Sequence, residues 1–325
     1  MINNQPPRTV VIIVNYNNLE DTKLCLDSIK KSDSQVLTVV VDNASEEPGI
    51  DDIYYTEPDV SLIKNTRNLG FAQGNNAGIK WAMENTACKY FLILNNDTTI
   101  QPDTIQILES HFQKHSDVGC ATPQILYAND PKIVWYGGGD IRWELGTGRV
   151  WTGSETGKKE NSPREVGFAS GCAMMVKREV FSNIGGFDPR FFMYEEDVEL
   201  SIRISNAGYK IIYIPDAIVY HRGQGSRRKK HEPFLELKSP HNPNLCFYMY
   251  HLTCNRLLNA YKHARGVNLI KFLFYFPLYN LYQIFLYLKH RKFGVTKSML
   301  SGVMHFIDIR NDHHSNYFYE LSNSQ

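Results

Sequence analysis

Tyr90-Phe-Leu-Ile-Leu94 runs without a polar residue into Asn95-Asn96-Asp97. A short apolar run closed by a polar turn cluster reads as a strand buried on both faces, as in a parallel sheet covered by helices. The same grammar recurs upstream. Thr9-Val-Val-Ile-Ile-Val14 gives way to Asn15-Tyr-Asn-Asn18, Val36-Leu-Thr-Val-Val-Val41 to Asp42-Asn-Ala-Ser45, and Ser61-Leu-Ile-Lys64 to Asn65-Thr-Arg-Asn68. Helical patterns lie between them: Leu19 to Lys31, with Leu19, Leu24, Leu26 and Ile29 apolar, and a small-residue helix from about Gln73 to Asn85. The fold class is therefore α/β, an open sheet flanked by helices. In such sheets ligands bind in the crevice at the carboxyl ends of the strands, so the four polar strand ends mark one site.

Downstream, the pattern predicts a helix from Pro102 to about Lys114, and a hairpin or mobile loop over Trp135-Tyr-Gly-Gly-Gly-Asp140 and Trp143 to Trp151, turning at Gly146-Thr-Gly148. Ser170-Gly-Cys-Ala-Met-Met-Val176 returns to strand. The segment Phe192-Met-Tyr-Glu-Glu-Asp-Val-Glu-Leu200 opens a helix near Glu195 that stops at Gly208, followed by the strand Tyr209 to Ile214. Glu196 and Asp197 thus fall in a first helical turn, where the macrodipole favours a carboxylate. On that basis Asp197 is expected to stay ionised, able to take a proton.

Composition excludes several classes. The chain has 325 residues, 42% hydrophobic and 21% charged, with a formal net charge of +1, enough apolar material for a large core and no global adaptation to nucleic acid. The six cysteines are scattered without a Cys-x-x-Cys pair, which indicates neither a zinc knuckle nor a disulfide scaffold. The segment Met1 to Arg8 lacks the apolar core of a signal peptide, so a cytoplasmic location is expected.

Taken in order, Val14-Asn-Tyr-Asn17, Val41-Asp-Asn-Ala-Ser45, Asn65-Thr-Arg-Asn-Leu-Gly-Phe71 with Gly74-Asn-Asn76, Leu94-Asn-Asn-Asp97, Gly185-Gly-Phe-Asp188, Phe191-Phe-Met-Tyr194 with Glu196-Asp197, and Val219-Tyr-His221 resemble a family 2 glycosyltransferase of the GT-A fold, in its rhamnosyltransferase-like branch. The resemblance spans roughly residues 9–225 and implies a GT-A-type, Rossmann-like mixed sheet. It implies that Asp42 hydrogen-bonds the nucleotide base while Asn15, Arg67, Asn68, Gly70 and Asn96 bind the nucleotide sugar. An acceptor-only carboxylate suits the imide N–H of uracil or thymine. It further implies that Asp97 and His221 hold a Mg²⁺ or Mn²⁺ ion on the donor diphosphate, although Asn95 stands where the family's Asp-x-Asp motif has its first acid. Gly223, Gly225 and Ser226 would form a loop over the donor. Asp197 would be the catalytic base of an inverting transfer, with Glu196 orienting it or binding acceptor and the role of Glu195 left open. Trp135 is read either as stacking on an acceptor sugar or as a buried tryptophan beside a turn.

Beyond about residue 240 the composition changes to long aromatic helices, dividing a catalytic domain (1–240) from a helical, aromatic-rich C-terminal region (241–325). Leu269 to Leu288 is nearly apolar over a length that could span a bilayer, but Lys271, Asn280 and Gln283 interrupt it, Pro277 is expected to break it, and tyrosines are dispersed along it. A helix in the membrane surface or a homodimer contact is expected, ahead of a spanning helix. Lys289-His-Arg-Lys292 supplies a basic flank, and Arg227-Arg-Lys-Lys-His231 is read as a solvated loop or an anion-attracting one. Asn255-Arg256, in a helix from about Pro243 to His263, resembles a family position near the site and receives no chemistry.

The expected reaction is transfer of rhamnose from dTDP-rhamnose, with UDP-sugars as the alternative donor, to a saccharide or lipid-linked acceptor at the inner face of the cell membrane. A nucleotidyltransferase would want a Gly-rich basic loop after the first strand, where this chain has Asn15-Tyr-Asn-Asn18. A non-catalytic nucleotide-sugar-binding protein is the remaining alternative.

Overall fold

The computed structural model describes residues 7–52, 58–152, 162–223 and 241–312. Strand β1 (Thr9–Asn15) leads to helix α1 (Leu19–Lys30), β2 (Val36–Asp42), β3 (Val60–Lys64), α2 (Gly70–Asn85) and β4 (Tyr90–Leu94). Next come β5 (Thr98–Ile100), α3 (Thr104–Lys114), β6 (Val118–Tyr127), β7 (Asp130–Tyr136), the hairpin β8 (Gly139–Arg142) and β9 (Thr147–Val150), and β10 (Arg164–Glu165). The chain continues through β11 (Ala173–Lys177), α4 (Arg178–Ile184), α5 (Glu196–Asn206) and β12 (Lys210–His221), and closes with α6 (Leu245–His263), α7 (Gly266–Lys289) and α8 (Phe293–Ile309).

The main sheet runs β10-β12-β6-β11-β4-β1-β2-β3, with β5 on β12 and β7 on β6. Strands β3, β2, β1 and β4 are parallel, and β11 enters antiparallel between β4 and β6, which makes the sheet mixed. The chain winds outward from β1 through β2 to β3, then returns to the other side of β1 for β4. That reversal is the topological switch point, and it opens the crevice at the carboxyl ends of β1 and β4. Register fixes what lines it, since Asn15 pairs with Asp42 and Asp42 with Lys64 at the same edge.

Helices can cover both faces because the strand residues are apolar on both. Val10, Val11, Ile12 and Ile13 are completely buried. Helix α2 approaches closely through its small residues; a Cβ on Gly78 would lie 2.6 Å from Ile12 Cγ2. The helix begins at Gly70, earlier than its apolar spacing predicts, because Asn68 Oδ1 accepts from the Gly70 N–H at 2.9 Å and supplies the missing first-turn partner. The hairpin expected around Gly146-Thr-Gly148 is present as β8–β9. All six cysteines are free, Cys246 exposed and the others buried.

The expected break at Pro277 is corrected, because α7 runs through it without interruption. Proline removes the hydrogen bond to the carbonyl of Leu273, and both residues face outward, where that carbonyl is not enclosed by protein. In the next turn Asn280 Nδ2 donates to the Phe276 carbonyl at 2.8 Å.

Candidate active site

At the carboxyl edge of the sheet one hydrogen-bonded chain links three of the predicted positions, Asn96, Asn15 and Asp42. Asn96 Nδ2 donates to Thr22 Oγ1 (3.0 Å), Thr22 Oγ1 to Asn15 Oδ1 (2.8 Å), and Asn15 Nδ2 to Asp42 Oδ1 (3.0 Å) and Ser45 Oγ (3.0 Å). The Ser45 N–H closes an Asx-type turn on Asp42 Oδ2 at 3.2 Å. Asp42 is buried and held rigidly, and its carboxylate lone pairs are not all used by these two donors, so turn formation and base recognition are compatible.

The next loop is organised by Asn43, a residue inside a quoted motif but without an assigned role. Its Oδ1 accepts from Asn65 Nδ2 (2.9 Å) and the Leu69 N–H (3.2 Å), while its Nδ2 donates to Asn68 Oδ1 (3.0 Å) and the Gly70 carbonyl (2.9 Å). Every polar atom of this buried amide is matched. Arg67, in the same loop, projects into solvent. Gly70 then touches the other half of the site: its φ is +75°, and a Cβ would lie 2.1 Å from the Phe192 carbonyl, which accepts from the Phe71 N–H at 2.7 Å. Gly70→Ala is expected to destabilise the fold by about 2–4 kcal/mol, combining left-handed strain with overpacking. Gly208→Ala, at φ +87° with nothing within 4 Å, carries the strain alone and should lose only about 1 kcal/mol. Urea midpoints of the two variants check the difference.

Asp97 and His221 meet across β5 and the end of β12, with His221 Nε2 3.3 Å from Asp97 Oδ1 and both residues buried. The backbone reinforces the pairing, since the Arg222 N–H donates to the Asp97 carbonyl at 2.9 Å. Trp135 packs edge-on against the His221 ring, centroids 4.6 Å apart, which accounts for its place in β7 without an acceptor sugar. His221 Nδ1 is buried with no hydrogen-bond partner among the described residues. Gly223 has φ +71°, and Gly225, Ser226 and the basic run Arg227 to His231 lie outside the described residues.

The third part surrounds Asp197. Its Oδ2 accepts from the Gly171 N–H at 2.9 Å and its Oδ1 from the Val198 N–H at 2.8 Å. Part of the residue remains open to solvent, but its carboxyl is enclosed. Burial pushes its pKa up to about 6, helped by the nearby Glu195 charge and opposed by the Gly171 and Val198 N–H donors. Desolvation outweighs the helix end, so the carboxyl titrates closer to neutrality than an ordinary aspartate, while above about 6 it is still mostly the carboxylate. Neighbouring Glu196 is pushed well above its usual range by burial and by the Asp197 charge, and its Oε2 is buried without a hydrogen-bond partner among the described residues.

What positions Asp197 was not legible in the sequence. Tyr194 and Glu195 both adopt left-handed backbone, at φ +71° and +67°, a conformation that bulky L-residues sustain only when the surroundings enforce it. Helix α6 enforces it. Asn255 Nδ2 donates to the carbonyls of Met193 (2.9 Å) and Tyr194 (2.7 Å), and Arg256 Nε to Glu195 Oε1 (3.0 Å). Thr147 Oγ1 also donates to Glu195 Oε1, at 2.5 Å, and accepts from the Arg256 guanidinium at 3.2 Å. Glu195 is thus a structural carboxylate anchored from the β8–β9 hairpin and from α6. The only sequence signal was the Asn255-Arg256 pair itself.

A concavity of about 760 Å³ lined by Lys89, Tyr90, Phe112, Lys177 and Arg178 lies at the amino end of β4. That is the opposite end of the sheet from Asp97, so it is not the site.

The model of the family described as glycosyl transferase family 2 matches residues 10–185, more than half of the chain. The chain belongs to glycosyl transferase family 2. The matched segment carries Asn15, Asp42, Arg67, Asn68, Gly70, Asn96 and Asp97, while Glu196, Asp197 and His221 lie beyond it. Among curated relatives, the family 2 chain is 26% identical over 261 residues to the N-acetylglucosaminyl-diphospho-decaprenol L-rhamnosyltransferase of Mycobacterium tuberculosis, covering 73% of this chain and 82% of the relative. It is 28% identical over 212 residues to the dTDP-rhamnosyl transferase RfbF of Shigella flexneri, covering 65% and 67%. Among solved structures, the mannosyltransferase PcManGT from Pyrobaculum calidifontis, in complex with GDP-Man and Mn²⁺, superimposes with TM-score 0.55 at 16% identity, covering 99% of this chain and 80% of that one. GalNAc-T7 with UDP, GalNAc and Mn²⁺ gives 0.58 at 18% identity over 82% of this chain and 54% of that one. These neighbours share the GT-A fold.

Proposed function

We propose that this family 2 glycosyltransferase moves rhamnose from dTDP-rhamnose to a saccharide or lipid-linked acceptor with inversion, in cell-surface polysaccharide synthesis at the cytoplasmic face of the membrane. The observation that carries the reading is Asp197, a residue partly open to solvent whose carboxyl is gripped by two backbone N–H groups and shifted to about 6. A base poised near the working pH combines the right protonation state with useful proton affinity. Asp197 accepts the proton of an acceptor hydroxyl as its oxygen attacks the anomeric carbon from the face opposite the diphosphate, so that a single displacement inverts the configuration. Glu196, which holds its proton, donates to the acceptor or to Asp197. The rhamnosyl donor is supported by the names of the two curated relatives. A UDP-sugar is the second reading, because the imide edge that Asp42 is suited to recognise is common to thymine and uracil.

The residues fit a divalent cation. Asp97 and His221 are buried side by side, and the imidazole has a nitrogen without a hydrogen-bond partner among the described residues. With these two side chains as protein ligands, the remaining positions around Mg²⁺ or Mn²⁺ would fall to phosphate oxygens and water. When bound, the ion neutralises charge on the departing diphosphate.

Thermal shift with dTDP, UDP, GDP and CDP, each with and without Mn²⁺ or Mg²⁺, tests the donor assignment. At a hundredfold over Kd, binding should add about 2.7 kcal/mol of apparent stability. A metal-dependent shift with dTDP that Asp97→Ala removes is expected. A shift with UDP alone would move the donor to the second reading, and no shift with any nucleotide on folded protein would overturn the donor site.

A further inference from the structure

Helix α7 and its neighbour α8 present apolar side chains to solvent on a scale that no other described element matches. Ile270, Leu273, Phe274, Leu281, Phe285 and Phe293 are each more than 60% exposed. Leu300 and Met304 extend the surface along α8 at 58% and 59%. A monomeric soluble protein rarely leaves so much contiguous apolar area in water.

The opposite stripe of α7 shows how the helix is held. Phe272 and Phe276 pack with Ala260 of α6 and with Ala264 just beyond it, while Tyr287, near the far end, is buried with its hydroxyl 3.6 Å from Met249 Sδ of α6. Helix α7 is therefore held against the protein body at Phe272, Phe276 and Tyr287, the buried residues of its one inner stripe. A segment that crossed a bilayer alone would be surrounded by lipid, whereas one fastened in this way can bury only its outer side.

Charge selects the occupant. From His241 to Ile307 the sequence contains no aspartate or glutamate. Arg265, Lys289, Arg291, Lys292 and Lys297 lie exposed around the apolar face. A second copy docked on this face would bring these cations together, against only Asp308 at the end of α8 and Glu144, which already pairs with Lys271 at 3.5 Å. An anionic lipid surface satisfies both features, taking the apolar side chains among its acyl chains and the cations at its headgroups.

We propose that the outer face of α7 and α8 docks in the plane of a bilayer containing anionic lipid, with the Lys289–Lys292 turn at headgroup level. Only two residues separate α6 from α7, and α6 carries Asn255 and Arg256, which hold the turn before Asp197. The docked surface and the base are joined through one helix, which sets the height of Asp197 above the membrane. This proposal concerns binding and stands whatever the donor sugar is.

Cosedimentation of the full chain with vesicles tests it, using phosphatidylcholine alone against phosphatidylcholine with phosphatidylglycerol. Wild type is expected to bind the anionic vesicles, more weakly as salt rises. A Leu273→Glu, Phe274→Glu double variant and a Lys289→Glu, Arg291→Glu, Lys292→Glu triple variant should each lower partitioning about tenfold or more while melting like wild type. No binding by wild type, or binding undiminished in folded variants of both kinds, overturns the proposal. So does a wild-type dimer that the Leu273→Glu, Phe274→Glu variant converts to monomer, which would assign the face to a second copy. In cell membranes the chain should be released by alkaline carbonate, and retention after that wash would overturn the in-plane arrangement.

Discussion

Asp197→Asn is expected to lower kcat by about 10²–10⁴-fold, the range for loss of a positioned general base, while dTDP binding in the thermal-shift assay stays as in wild type. The amide can still accept from one of the two backbone N–H groups that grip the carboxylate, so the loss should fall on turnover and not on folding. A protein that binds the nucleotide identically in both forms and turns over in neither is the non-catalytic alternative. The pH dependence sharpens the assignment. Catalysis needs the carboxylate, so wild-type kcat/KM should rise with pH through about 6 and level off above it, and this limb should vanish from the residual rate of the variant. The sign for stability is opposite. The folded state holds this proton more tightly than the unfolded chain, whose aspartate titrates near ~3.9, so stability is lost as pH rises from there through about 6. Asp197→Asn should accordingly melt no lower than wild type at pH 7, and a sharp fall in its melting temperature would argue that the residue serves the fold.

The second large effect is expected from Lys262→Met. Asp188 and Glu199 are both fully buried, and the Lys262 ammonium bridges them, hydrogen-bonded to Asp188 and 2.6 Å from Glu199 Oε1. Arg190 completes the pairing of Asp188 at 2.7 Å, and Arg203 (2.9 Å) and His263 (3.1 Å) that of Glu199. Burial opposes ionisation of Glu199, yet Arg203, Lys262 and His263 together hold its carboxyl well below the usual range. Removing the shared cation leaves two buried carboxylates short of charge, and a loss of about 3–5 kcal/mol is expected, read as a lower urea midpoint. Because the folded pKa is depressed, the stabilisation is present above the unfolded value of ~4.3 and is lost as pH falls through the folded one. The gap between wild type and Lys262→Met should therefore narrow in acid, and a gap constant with pH would point to lost packing instead.

Much of this architecture was legible because its signals are local. The β-branched runs of β1 and β2 and the apolar run of β4 announce doubly covered strands, and the polar residues at their ends had to fall on one edge once the strands were parallel. Asn15, Asp42, Asn96 and Asp97 were readable for that reason. The Glu195–Thr147–Arg256 contact was not, since its members lie 48 and 61 positions apart and meet only when the hairpin and α6 close on one turn. The upward shift of the Asp197 carboxyl escaped the sequence for a related reason. A helix end can be read from neighbouring residues, whereas desolvation depends on how the whole fold encloses the carboxyl. Pro277 misled because its effect depends on whether the freed carbonyl is enclosed, and in α7 it faces outward.

The left-handed pair at Tyr194 and Glu195 also constrains how such chains can be recombined. Asn255 and Arg256 restrain it from 61 positions away, and without them the turn would relax by about 1–3 kcal/mol per residue. A chimera whose crossover falls between 195 and 255 would take the turn from one parent and its restraint from the other, so these two short stretches form a single heritable unit.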